Sequence, residues 1–487
     1  MIRAFRTSAA SSRRLWAAAL AVYAALFAAS LLIRSNMPSA EYASDVSRLM
    51  SVRVYKVVHV KDTEDIAEAL REAGRKGLPI SVSGARHSQG GQTFYDNAIV
   101  LDMRDYNEVI RVDGTSKRIQ VQSGATWEQV QEAVQQLGLS VRIMQSQNLF
   151  TVGGSMSVNV HGRDMGEGPL IESVESFRLM LADGRIVRVS RTENAELFPL
   201  VIGGYGLFGI ILDADLRLTD DTVYKQKTVP IGYRNFPDYF RGHVNDNPDV
   251  AMAIARLSVS PNHYLTDMFV TTYDKSDEPL SGSLKKLNDE RFIGATKFMF
   301  GLSRKFDWGK DLIWNLQKKG YMMKDGQLIS RNNAMRPAAQ FMEYADPQKT
   351  DLLQEYFVPV DRFIPFVDGL RDILRKDGLN LLNITVRYVP RNEEAVLSYS
   401  RHDSFAFVLL FNNKRSPEAV KRLEQSTQSI TDLALRNNGT YYLPYQLFAS
   451  PGQLRQAYPR ADEFFAAKRR LDPELRFINE FYARYAP

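Results

Sequence analysis

Three glycine-rich segments hold the residues best suited to chemistry. The first runs Ser83-Gly84-Ala85-Arg86-His87-Ser88 and on to Gly90-Gly91. The second is Thr151-Val152-Gly153-Gly154-Ser155, continuing to Val160-His161-Gly162. The third is Gly203-Gly204-Tyr205-Gly206-Leu207-Phe208-Gly209-Ile210-Ile211. Glycine has no Cβ, so backbone amides can close on a diphosphate with no side chain between them. One such segment reads as a tight turn. Three in one block, residues 53–221, point to a shared phosphate-bearing ligand. The third segment also spells G-x-G-x-x-G over Gly204, Gly206 and Gly209, but its context is wrong for a Rossmann site. A helix-like stretch (193–201) precedes it and a strand follows, whereas that fingerprint needs strand and then helix.

Two of the segments carry a histidine, His87 and His161, and each also fits a plain structural role within its own turn. There are no cysteines and only six histidines. That removes disulfides, thiolate-bound zinc, iron–sulfur clusters and thiol nucleophiles, and no metal site is expected. The net charge of +6 is small for 487 residues, and no basic run or helix points to nucleic acid.

These segments need elements to hold them. VRVYKVVHV (52–60), LPISVSG (78–84), AIVLDM (98–103), VIRVD (109–113) and RIQVQSG (118–124) read as strands. TEDIAEALREAGRKG (63–77) reads as an amphipathic helix capped by Thr63 and stopped by Gly77, and 126–138 as a second helix capped by Thr126. Residues 177–190 form a hairpin around Asp183-Gly184, and 209–218 close the block. A second block, 222–449, has strands at 250–260, 264–273, 352–360, 381–390 and 404–411. Its helices at 360–378 and 417–439 cover one face.

Residues 15–33 carry no charge. As a helix they match the roughly 30 Å hydrocarbon core. Arg3, Arg6, Arg13 and Arg14 precede the run and Arg34 follows. The charge rule leaves the short N-terminus inside and the body on the non-cytoplasmic side. The run is longer than a usual cleaved signal and reads as an uncleaved anchor, with 35–52 as a linker. Residues 296–324 interleave seven Lys/Arg with Trp308, Trp314, Tyr321 and other large apolar side chains. That mixture fits a lipid interface or a surface helix with one core face.

At the three glycine segments the first block resembles the FAD-binding domain of the vanillyl-alcohol oxidase superfamily, and the resemblance returns at 450–487. Ala85-Arg86-His87-Ser88 looks most like alditol and sugar-lactone oxidases. The C-terminal stretch is similar to the decaprenylphosphoryl-ribose oxidase group. The resemblance implies an α+β, two-domain flavoprotein behind the N-terminal transmembrane helix: anchor 1–34, linker 35–52, FAD-binding domain 53–221, substrate domain 222–449 and a C-terminal return at 450–487. It implies FAD bonded through His87. Ser83 to Ser88, Gly153, Gly154, Ser155, Val160, His161, Gly162, Gly206, Gly209, Ile210 and Ile211 are then cofactor contacts. His161 sits beside the ring. Arg387, Glu355 and Tyr356 fall where relatives carry substrate contacts, so His161, Arg387, Tyr356 and Tyr445 form the catalytic set. Relatives carry a lysine where this chain has Tyr445.

The activity implied is hydride transfer from a hydroxyl-bearing carbon of a sugar, lactone, alditol or polyprenyl-linked sugar, with oxygen, a quinone or a cytochrome as acceptor. Reduction of an isoprenoid or sterol double bond is the second reading, because related sterol reductases also lack the lysine. A non-catalytic membrane-anchored flavin-binding protein is the third.

Overall fold

The computed structural model describes residues 18–23, 41–289, 293–336, 344 and 346–487. These fall into two units, Met1–Glu41 and Tyr42–Pro487. In the first, residues 18–23 are helical with exposed side chains. The rest of the expected membrane span lies outside the described residues. Among the described residues, no helix is long and apolar enough to cross a membrane.

The second unit begins with a parallel three-stranded sheet in the order Lys56–His59, Ile99–Asp102, Ile80–Ser83. The single strand read at 52–60 is two, Ser51–Val54 and Lys56–His59. Helix Thr63–Lys76 buries Ile66, Ala69, Leu70 and Ala73 in a core shared with this sheet. Its cap is Asp62 and not Thr63: the Asp62 carboxylate accepts from Glu64 N and Asp65 N, and Asp65 returns the bond in a capping box. A carboxylate there also favours the positive end of the helix dipole.

An antiparallel sheet follows in the order Ile186–Ser190, Val174–Met180, Ile210–Asp220, Arg118–Gln122, Val109–Asp113, with Leu139–Val141 also on Ile210–Asp220. The hairpin at Asp183-Gly184 forms as the sequence indicates. Helix Trp127–Gln135 starts in the capping box of Thr126 and Gln129.

The third sheet is antiparallel and eight-stranded. Its order is Leu328–Ser330, Val223–Gly232, Asp267–Lys275, Val250–Leu257, Leu381–Val389, Ser404–Lys414, Lys349–Pro359, Thr440–Tyr441. Helices Phe363–Asp377 and Pro417–Arg436 pack on one face, where Phe363 and Phe366 meet Phe407. Strand parity sets the rest. Glu355 and Thr385 both lie opposite Val408, and Arg256 lies opposite Thr385, so one row of the sheet carries all three on the face away from Phe407. Tyr356 lies opposite Phe407 and points to the helices.

The C-terminal segment returns to the first sheet. Ile80 and Phe477 form a parallel bridge, Ile80 N donates to Arg476 O at 2.6 Å, and Ile478 N donates to Ile80 O at 3.0 Å.

Candidate active site

The three glycine segments converge on one cleft of about 670 Å³. Of the cofactor contacts read from the sequence, Ser83, Gly84, Ser88, Gly153, Gly154, Gly206, Gly209 and Ile211 line it. The first two segments touch. A Cβ on Gly84 would overlap the Thr151 hydroxyl, and one on Gly153 would come within 2.6 Å of Ser123 Cβ. The glycines are therefore needed for close approach, not only for turning.

The second segment is a short helix, Val152–Ser157, and not a loop. Thr151 caps it, accepting from Gly154 N at 3.3 Å. In the third, Tyr205 takes the left-handed conformation (φ +57°), which costs a non-glycine residue about 1–2 kcal/mol. The surroundings hold it: its ring stacks on Phe481, and its carbonyl accepts from Asn479 Nδ2 at 2.8 Å. Burial pushes its phenol well above the ordinary range. Leu207 O accepts from the buried Lys468 Nζ at 2.7 Å.

Other residues read as cofactor contacts are not among those that line the cleft. Ser155 accepts from Trp127 Nε1 at 2.8 Å and donates to Gln145. Val160 and Ile210 are core residues. Gly162 sits against the backbone of Met144. Arg86 has φ +56° and donates to the buried Asp102 at 3.1 Å. Ala85 and His87 are half-buried beside it, and the His87 ring lies 4.2 Å from that of Phe150. Gln92, Thr93, Ser123, Ser157 and Tyr205 line the cleft without having been singled out. Ser123-Gly124 ends a strand as Ser83-Gly84 does, and that repeated Ser-Gly was the available signal.

Where the second segment ends, His161 meets a polar group on the eight-stranded sheet. His161 Nε2 is 2.7 Å from Glu355 Oε1, and both residues are buried. The other imidazole nitrogen, Nδ1, is buried with no hydrogen bond. Phe357, Tyr399 and Tyr442 surround the ring at 5.4, 5.8 and 6.0 Å. The Tyr445 hydroxyl donates to Glu355 Oε2 at 3.4 Å, and burial raises its phenol well above the ordinary range. Arg387 shares this environment. Burial is the main force lowering its guanidinium from the ordinary value; Arg163 and Arg256 push the same way, and Glu355 and Tyr445 push back. Its Nε is buried without a hydrogen bond, as is that of Arg256.

Thus the structure brings His161 and Tyr445 onto Glu355, with Arg387 near enough to feel the charge of Glu355. Tyr356 does not join them. Its hydroxyl donates to Thr427 O at 3.5 Å on a covering helix, because one step along a strand reverses the face. It is a packing residue.

A narrow cleft built from glycine-dense turns, with a buried polar cluster alongside, is the arrangement of a flavoprotein oxidoreductase. Residues 55–190 match a family model described as an FAD binding domain. The chain is 23% identical to decaprenylphosphoryl-beta-D-ribose oxidase of Mycolicibacterium smegmatis, covering 92% of this chain and 99% of that one. It is 34% identical to an uncharacterized oxidoreductase, ORF5 in the fasciation locus of Rhodococcoides fascians, over 34% of this chain and 37% of the relative. It is 30% identical to cytokinin dehydrogenase 7 of Oryza sativa subsp. japonica, over 40% and 38%. The chain thus spans well under half the length of two of these three relatives. Residues 55–190 thus carry an FAD-binding domain, and the likeness to these oxidoreductases supports the vanillyl-alcohol oxidase superfamily expected from the sequence.

Proposed function

We propose that the chain oxidises a hydroxyl-bearing carbon of a carbohydrate-type substrate, with His161 and Glu355 handling the proton. The observation that supports this most is the His161–Glu355 pair with its second ring nitrogen unsatisfied. A carboxylate accepting from Nε2–H fixes the tautomer in which Nδ1 keeps its lone pair. Nδ1 can then take the proton of a substrate hydroxyl, and Glu355 stabilises the imidazolium that results. Arg387 and Tyr445 orient the substrate oxygen through donated hydrogen bonds. The aromatic residues around His161 exclude water and strengthen these bonds.

Glycines 84, 153 and 154 and the turn at 205–209 would hold the FAD diphosphate and ring. When bound, the flavin supplies the hydride acceptor. His87 is proposed as its covalent attachment point: it precedes Ser88, which lines the cleft, and is positioned by the Arg86 turn and the Phe150 ring. Residues 15–33 are proposed as a single membrane anchor that places the body on the non-cytoplasmic side, on the asymmetry of Arg3, Arg6, Arg13 and Arg14 against Arg34.

A second reading, double-bond reduction, draws on Tyr445, whose buried phenol stays protonated and could deliver a proton to carbon. An anaerobic screen that follows flavin absorbance separates the two. Bleaching by alditols, lactones or prenyl-linked sugars supports oxidation. No bleaching, with reoxidation of reduced flavin by an isoprenoid alkene, would replace it. Yellow colour surviving acid precipitation, and lost in His87→Ala, tests the covalent bond.

A further inference from the structure

Helices Ile293–Lys305 and Asp307–Met322 form a hairpin beside the eight-stranded sheet. The segment that the sequence left between lipid interface and surface helix has both characters, on opposite sides. Facing inward, Trp314 donates through Nε1 to Asp267 Oδ2 at 3.0 Å, and Tyr321 lies 5.2 Å from the Phe269 ring. Facing outward, Trp308, Leu312, Leu316, Lys319 and Met323 follow helical spacing and fall within about a quarter turn at 100° per residue.

This outer stripe is open. Trp308 is 55% exposed, Leu316 46% and Met323 70%, and Phe306 stacks on Trp308 at 5.4 Å. Among the described residues, no other tryptophan is exposed to this degree, and the exposed phenylalanines are Phe298 and Phe306 of the same hairpin. The charge is equally concentrated. Between 296 and 324 there are seven Lys/Arg and two Asp, in a chain whose net charge is +6. Arg304 and Lys318 turn inward to Asp351 and Asp267. Lys305, Lys319 and Lys324 are exposed.

We propose that this hairpin docks on an anionic phospholipid surface. Trp308, Leu316 and Met323 enter the boundary between headgroups and acyl chains, and Lys305, Lys319 and Lys324 meet the lipid phosphates. A second copy of the chain is the poorer occupant, since face-to-face pairing would oppose the same cations across the contact. A neutral protein groove would leave the lysines without partners. The contact is separate from the N-terminal apolar run, and it needs no assumption about substrate.

Because the chain has no cysteine, Met323→Cys supplies a single thiol. The full chain, loaded with FAD and carrying an environment-sensitive fluorophore there, is reconstituted into phosphatidylcholine vesicles with and without one third phosphatidylglycerol. A blue shift, quenched by nitroxide-bearing lipids, is expected in anionic vesicles only. The same label at Leu137→Cys, an exposed site in another part of the fold, is expected to stay water-like. Each of Lys305→Gln, Lys319→Gln and Lys324→Gln should lower the docked population about fivefold, with flavin absorbance unchanged. A water-like label in both vesicles, equal burial in neutral vesicles, or a shift that grows with protein concentration without lipid would each overturn the proposal, the last in favour of self-association. Flavin absorbance reports on the FAD reading separately.

Discussion

His161 Nε2 and Glu355 Oε1 approach to 2.7 Å across the junction of the second glycine segment and the eight-stranded sheet. This bond decides which imidazole nitrogen is left to act. Glu355→Gln keeps the shape and removes the charge. It should lower kcat by about 10²–10⁴-fold with a small effect on KM, as for loss of general-base assistance. Stopped-flow flavin bleaching at substrate saturation measures it, and unchanged flavin content guards against misfolding.

Gly153 is a second test. Its missing Cβ would sit 2.6 Å from Ser123 Cβ. Gly153→Ala should cost about 1–3 kcal/mol through overpacking and spoil FAD retention. Adding Ser123→Gly should restore part of both. Flavin-to-protein absorbance ratio and Tm read the outcome; equal FAD content in wild type and Gly153→Ala would remove the close-approach argument.

Asp102 holds Arg86 in its left-handed turn. Burial raises its carboxyl, but Arg104 and then Arg86 outweigh burial and leave it below the ordinary value. A depressed carboxylate stabilises the fold above about pH 3.9, and that share is lost as pH falls below it. Arg104 is half-exposed and screened, so Asp102→Asn should cost only about 1–3 kcal/mol. It should also reduce the covalent flavin proposed at His87, since His87 follows Arg86. Acid melts and the colour of the acid-precipitated protein check the two effects.

Lys468 is buried against Asp472 and Leu207 O, and burial lowers its ammonium to about 8. Between about pH 8 and 10.5 the unfolded chain therefore binds a proton that the folded chain does not, so this group makes stability rise with pH in that window. Lys468→Met should abolish that rise and cost about 3–5 kcal/mol by leaving Asp472 without its cation. Urea melts at pH 7.5 and 9.5 give the comparison, an interval of about 2 units chosen to span the shift.

The buried tyrosines act in the opposite direction. Burial raises the phenols of Tyr399, Tyr441, Tyr442, Tyr445 and Tyr458. Their share of stability is complete below the unfolded value of about 10 and is lost above it. Steep alkaline unfolding is expected there, with tyrosinate absorbance rising together with loss of far-ultraviolet dichroism. Tyrosinate appearing well before unfolding would contradict the packing described.

Much of this was legible because it is local. Strand alternation, the Thr126 cap, the Asp183-Gly184 turn and the three glycine segments depend on near neighbours. What escaped depends on distant ones. Tyr356 and Glu355 are adjacent, and only the register against Phe407 and Val408 shows which reaches the site. The orphaned Nδ1 of His161 required knowing where residue 355 would fall. Ser155 looked like part of a phosphate cradle, yet Trp127 claims its hydroxyl. Tyr399 and Tyr442, which wall in His161, carry no local signature.

Residues 468–479 brace the segments that line the cofactor cleft. Asn479 holds the carbonyls of Tyr205 and Gln92, Lys468 holds Leu207, and Phe477 and Ile478 pair alongside the strand that ends at Ser83. On a ribosome these residues emerge after all three glycine segments, which wait for them unsupported. Prosthetic-group loading then has to follow translation of residues 468–479, and a chain truncated before residue 468 would be made and released without pigment.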